Sequence, residues 1–162
     1  MGIKTIMVGG MAAPSFVVLE PRGKVAAEST QLPIRIGPIE ALSISAGVEG
    51  PKTRPLTHDL MGTLIDKLEA TLEGVCVCDV RGTTFFAELM LRDAQGRRHS
   101  IDCRPSDAIA LAVRKGAPIF ATDDVLSRAT MPDFAKVEAE SRERDLEAFH
   151  DFVEGLSPED FA

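Results

Sequence analysis

Ile36-Gly37-Pro38-Ile39-Glu40-Ala41-Leu42-Ser43-Ile44-Ser45 and Cys103-Arg104-Pro105-Ser106-Asp107-Ala108-Ile109-Ala110-Leu111-Ala112 follow one pattern. Each follows an alternating, strand-like run. Each sets a proline, places an acid two residues later, and continues in small and aliphatic side chains. A proline suits the first turn of a helix, where its missing N–H has no partner to lose. The pattern therefore predicts a strand-to-helix junction used twice, with Glu40 and Asp107 at equivalent positions. Asp102, Arg104 and Arg114 belong to the second junction only.

Reading outward, residues 3–9 and 15–20 alternate as strands, and Leu32, Ile34 and Ile36 form a third. The first proline-led helix runs from Pro38 to Gly47 or Gly50, and a loop follows at Pro51–Pro55. Thr57 is the expected cap of the next helix, in which Leu60, Leu64, Leu68 and Leu72 recur every four residues as far as Gly74. Residues 75–80, 83–92 and 97–103 read as a three-strand run, with a hairpin turn at Asp93–Gly96. The second proline-led helix stops at Gly116, and Thr122 caps a short helix from Asp123. The expected fold class is α+β: duplicated three-strand-plus-helix units in a compact layered β/α/β domain, with a C-terminal amphipathic helix. Residues 1–132 form the domain and residues 133–162 an acidic helical tail, in which Leu146, Phe149, Phe152, Val153 and Leu156 make an apolar stripe.

The net charge is -7, and it sits in the tail. Residues 133–162 hold ten acids and three bases, while residues 1–132 hold fifteen of each. The main domain is thus neutral, which argues against a broadly basic nucleic-acid surface and leaves local arginines to make any such contact. No apolar run reaches membrane-spanning length. Three cysteines, Cys76, Cys78 and Cys103, suit a reducing compartment, and the expected location is cytoplasmic. Walker and dinucleotide fingerprints are absent from the sequence.

Two groups of residues bear chemistry. In the first, Asp102, Arg104 and Asp107 meet where strand passes into helix. Two carboxylates near an arginine suit a divalent cation and a phosphate, and the helix N-terminus favours an anion. A structural ion pair with a favourable first-turn acid explains the same residues. In the second, His58 and Asp59 open a helix just after Lys52 and Arg54. A histidine beside a carboxylate suits general base work, and the two cations suit a phosphate backbone. An exposed histidine beside a first-turn acid is the plainer reading.

Arg54-Pro55-Leu56-Thr57-His58-Asp59-Leu60, the run from Asp102 to Ala112, and Pro118-Ile119-Phe120 resemble the bifunctional nuclease domain family over residues 16–130. Phe149 to Phe161 also resembles the end of many bacterial members. The resemblance implies hydrolysis of RNA and DNA by a compact duplicated fold that forms a homo-oligomer, a dimer or higher. Arg35 departs from the family, which usually has tryptophan there, and so does Cys103, where a small residue such as alanine is usual.

The leading expectation is a metal-assisted phosphodiesterase acting on RNA or DNA. Asp102, Asp107 and Glu40 would hold Mg²⁺ or Mn²⁺, Lys52, Arg54, Arg104 and Arg114 would meet the phosphates, and His58 with Asp59 would move the proton. The alternative is a non-catalytic homo-oligomeric regulatory or adaptor protein. A small phosphate ligand at the helix terminus is a third reading.

Overall fold

Alternation in the first thirty-six residues gives an antiparallel meander. In the computed structural model, which describes residues 1–9, 14–22, 31–50 and 54–129, strands β1 (Gly2–Met7), β2 (Ser15–Glu20) and β3 (Leu32–Ile36) form a three-stranded sheet in that order. Val17, Leu19, Leu32 and Ile34 turn one face of it into the core. Pro33 is tolerated because β3 is an edge strand, where a missing N–H costs no ladder bond.

A second antiparallel meander follows: β4 (Thr71–Arg81), β5 (Thr84–Arg92) and β6 (Arg98–Cys103). Its sheet is four-stranded, in the order β6-β5-β4-β7, because β7 (Ile119–Ala121) adds in parallel beside β4. Gly74 is needed at that junction. A Cβ there would stand 2.9 Å from Met90 Cε and from Phe120 Cε2, and 3.1 Å from the Pro118 carbonyl oxygen. At the hairpin, Asp93 accepts the backbone N–H groups of Gln95 and Arg97, as the turn chemistry predicts.

Helix α1 (Pro38–Glu49) follows the first meander and α3 (Pro105–Lys115) the second. Both start on the predicted prolines. α1 packs on β1 and β2, α3 packs on β4 and β5, and the two helices pack on each other, with α2 (Thr57–Lys67) against α3. α3 is therefore enclosed on most of its surface. Ala108, Ile109, Ala110, Leu111 and Ala112 are buried in succession, as expected of a helix with neighbours on every side. Burying a side chain such as Leu111 is worth about 1.5–3 kcal/mol, so this helix is a principal source of stability. The short α4 (Asp123–Ala129) is capped as predicted, with the Val125 N–H donating to Thr122 Oγ1 at 3.3 Å.

The architecture is thus a mixed α+β fold with two sheets and, among the described residues, four helices. Two boundaries differ from expectation. The first strand ends at Met7 rather than at residue 9. α2 ends at Lys67 rather than Gly74, since Glu69 takes a left-handed φ of 55° and Leu72 is buried in β4. The face of α2 differs as well. Leu60 and Leu64, with Leu68 just past the end, are exposed, while Met61 and Ile65 pack on the core. A spacing of four selects one stripe of a helix, but it does not say whether that stripe faces inward. Thr57 does not cap α2. Leu56 is the N-cap residue, and Asp59 caps by accepting the Leu56 N–H at 2.8 Å. The predicted tail helix and Lys52 lie outside the described residues.

Candidate functional site

The first turns of α1, α2 and α3 come together, and the polar residues of the site come from all three. Asp107 is the hub. It is the third residue of α3, a position where an acid is favoured by the free N–H groups of the helix start. Its Oδ2 accepts Arg104 Nε at 2.7 Å, and its Oδ1 accepts Arg104 Nη2 at 3.0 Å, a bidentate pair. Oδ1 also lies 3.2 Å from His58 Nε2. The Arg104 guanidinium, followed by burial and the His58 bond as opposing and supporting influences, holds the Asp107 carboxyl below the usual carboxylate range. The same pairing holds Arg104 firmly protonated.

Arg104 reaches across the fold as well. Its Nη1 donates to Glu40 Oε1 at 3.1 Å, joining the start of α3 to the start of α1. Glu40 folds back over its own helix start. A Cβ on Gly37 would lie 2.2 Å from Glu40 Oε2, so a side chain there would push that carboxylate aside. The two equivalent acids of the sequence pattern thus share one arginine.

His58 is the second residue of α2, and its side chain is only 12% exposed. Opposite the Asp107 contact, its Nδ1 lies 3.0 Å from Ser43 Oγ on α1. With Nε2 protonated toward Asp107, Nδ1 accepts the Ser43 hydroxyl. A hydroxyl, an imidazole and a carboxylate then stand in line. That order polarises a hydroxyl toward attack, because the carboxylate fixes the tautomer and stabilises the imidazolium that forms. Ser43 was not singled out in the sequence. Its contact with His58 joins two helices across a loop, and no local spacing announces it.

The other expected residues fall elsewhere. Asp59 accepts Arg114 Nε at 2.6 Å, and Arg114 also donates to the carbonyls of Ser43 and Ala110. The Arg114 side chain is 7% exposed, so its guanidinium ties α2 and α1 to α3 rather than facing solvent. The Leu56 N–H, with Arg114, holds Asp59 below the ordinary carboxylate range. Asp102 does not join Arg104 and Asp107. It is exposed on β6, directly across from Glu88, because the chain turns at Arg104 to become the cap of α3 and carries the arginine away from the strand face. Arg54 is exposed.

The expected cation ligands Asp102, Asp107 and Glu40 therefore do not converge, and among the described residues no group of three His, Cys, Asp or Glu side chains could hold a metal. Asp107 and Glu40 already share a guanidinium, which does not fit a divalent ion at the same oxygens. The three cysteines are free, and burial pushes the Cys103 thiol up to about 11, which suits a core residue rather than a nucleophile.

Beside Arg104 opens a cavity of about 950 Å³ between the end of β3, the β4–β5 turn and the starts of α1 and α3. Arg35, Phe85, Arg104 and Ser106 are among its lining residues.

A family model described as the bifunctional nuclease domain matches residues 17–133. Two uncharacterised proteins of Mycobacterium tuberculosis, from strains CDC 1551 / Oshkosh and H37Rv, are each 41% identical over 137 residues, covering 80% of this chain and 80% of the relative.

Proposed function

Because this chain belongs to the bifunctional nuclease domain family, we propose that it hydrolyses phosphodiester bonds of RNA and DNA, with Ser43, His58 and Asp107 moving the proton. The observation that supports this reading is the unbroken line Ser43 Oγ, His58 Nδ1, His58 Nε2, Asp107 Oδ1. His58 takes a proton at Nδ1 through the Ser43 hydroxyl, which relays it from the attacking water, and the imidazolium returns it by the same path to the leaving oxygen as its bond to phosphorus breaks. Asp107 holds the imidazole in the required tautomer and offsets its charge. Arg104, which keeps N–H donors beyond the three it uses here, meets the phosphate. Asp59 and Arg114 act by positioning α2 so that His58 faces its partners.

Mg²⁺ or Mn²⁺ belongs to the proposal as an accessory. At Asp107 and Glu40 a cation would take the place of Arg104, and Asp102 would bind one only apart from that pair. The residues present do not fit a cation in this arrangement, so no step above runs through one. Cleavage measured before and after chelation with EDTA tests that part. The two meander-plus-helix halves we read as copies of one unit; their shared proline-led helix starts and the common order of strands support this.

The experiment that tests the whole reading is single-turnover cleavage of RNA and DNA by purified protein. Ser43→Ala, His58→Gln and Asp107→Asn should each abolish most of it. Cleavage that survives in all three would overturn the relay.

A second reading, a non-catalytic homo-oligomeric regulatory or adaptor protein, is favoured by Leu56, Leu60, Leu64 and Leu68, which are 51%, 54%, 50% and 74% exposed at a spacing of four. An exposed apolar row is a common mark of an interface. Light scattering of the wild type and of Leu60→Glu/Leu64→Glu tests the oligomer: a monomeric wild type removes it. Among the described residues no helix is long and apolar enough to cross a membrane.

A further inference from the structure

The cavity beside Arg104 has features that the proton relay does not use. Ser106, the second residue of α3, is 6% exposed, yet it lines the cavity and its hydroxyl has no hydrogen-bond partner among the described residues. Among the described residues no fully buried side-chain oxygen or nitrogen lacks a partner, so the Ser106 hydroxyl is reached from the cavity, where a ligand can supply its bond. The Ser106 N–H belongs to the same unpaired first turn, because Pro105 at the first position has none to give and the first intrahelical bonds begin at Asp107 and Ala108. The two donors of Ser106 thus face one space at the positive end of an eleven-residue helix.

Cationic side chains flank that space. Arg35 projects from the end of β3, is exposed, and makes no ion pair among the described residues. Arg104 lies on the other side with donors to spare. At the start of α1 the Glu40 carboxylate folds back over Gly37, whereas at the start of α3 Asp107 is engaged by Arg104 and His58 and Ser106 lines the cavity. Phe85, Ile36 and Pro38 give the rest of the wall its apolar part, beside Ser15, Thr83, Thr84 and the Glu40 carboxylate. An anion subsite joined to an apolar wall in a cavity of this size suits a phosphate ester bearing a flat or apolar group.

We propose that this cavity is a one-nucleotide subsite: the phosphate binds at Ser106, Arg35 and Arg104, and the nucleoside lies against Phe85. The proposal rests on the phosphodiesterase reading for its ligand class and shares Arg104 with it, but Ser106, Arg35 and Phe85 have no part in the relay. The test is calorimetric titration of the full chain with 5′-AMP and 5′-UMP, adenosine, and inorganic phosphate. The monophosphates should bind, with adenosine and phosphate each at least ~10-fold weaker, as expected when charge-assisted bonds and apolar contact act together. Ser106→Ala and Arg35→Gln should each weaken monophosphate binding by ~3- to 10-fold. Arg35 is a surface residue, so Arg35→Gln keeps the test open even if Ser106→Ala perturbs the helix. Adenosine binding as well as 5′-AMP, absence of binding at millimolar ligand, or affinity unchanged in both variants would overturn the subsite.

His58→Gln separates this from the relay. If it abolishes cleavage and leaves 5′-AMP binding intact, both stand. Cleavage that survives His58→Gln, with 5′-AMP binding still dependent on Ser106 and Arg35, removes the relay alone. Cleavage dependent on His58, with 5′-AMP binding indifferent to Ser106 and Arg35, removes the subsite alone.

Discussion

The starts of α1 and α3 share a pattern and differ in what they do with it. In each, a proline opens the helix and an acid stands two residues on. At α1, Glu40 folds back over Gly37 and accepts one bond from Arg104. At α3, Asp107 accepts a bidentate pair from the same arginine and a contact from His58. One acid lies over its own helix start with a single ion pair; the other is the hub of a network. The difference teaches that an equivalent sequence position does not fix a chemical role. The role is set by which side chains the rest of the fold brings to it.

That contrast can be broken most directly at the hub. Asp107→Asn and His58→Gln should each lower the rate of phosphodiester cleavage by ~10²- to 10⁴-fold in single-turnover assays, the range of a positioned general base. Glu40→Gln should cost less than ~3-fold in the same assay, since an exposed, screened ion pair is worth little. Equal losses at Glu40 and Asp107 would make the two helix starts functionally alike and sink the contrast.

Next in size is the tie that holds α2 in place. Arg114→Ala strips Asp59 of its partner and leaves two carbonyls short of a donor. It should destabilise the fold by about 2–3 kcal/mol in urea unfolding, below the full cost of breaking a buried pair because Asp59 is partly exposed. Stability unchanged in that variant would return Arg114 to the substrate-facing role expected from sequence.

A smaller effect concerns pH. Asp107 has its folded-state carboxyl below its unfolded value, so the stability it contributes is present above the unfolded pKa of about 3.9 and is lost as pH falls through the folded one. Asp59 acts in the same sense. Thermal unfolding followed from pH 6 downward should show a falling midpoint below about pH 4. Asp107→Asn should flatten part of that slope. Smallest of all, Gly74→Ala should cost about 1–3 kcal/mol by overpacking, since Met90 and Phe120 can yield but the Pro118 carbonyl cannot easily do so.

The strands, the two proline-led helices and the hairpin turn were legible because they rest on local rules: alternation, proline at a helix start, and Asp and Gly at a turn. The end of α2 was not, because Leu68 and Leu72 continue the helical spacing while the chain has already turned at Glu69 into β4. Of the candidate site, Arg104 with Asp107 was readable, being three residues apart on one helix start, and His58 stood out as a titratable group. Its true partners did not. Ser43 is fifteen residues from His58 and Asp107 forty-nine, and neither separation has a periodicity that sequence reasoning can use. Asp102 misled because strand alternation was extended one residue past the strand's end.

By itself, then, the sequence determined the elements, the neutral charge of the main domain and the family. Only the tertiary structure decided that Arg104 would be shared by two acids, that Arg114 would be buried as a tie, and that Ser106 would be left without a partner in a cavity. The physical reason is range. Propensity and capping act over a few residues, whereas the site is made where three helix starts from distant parts of the chain pack together and their charges must be paired.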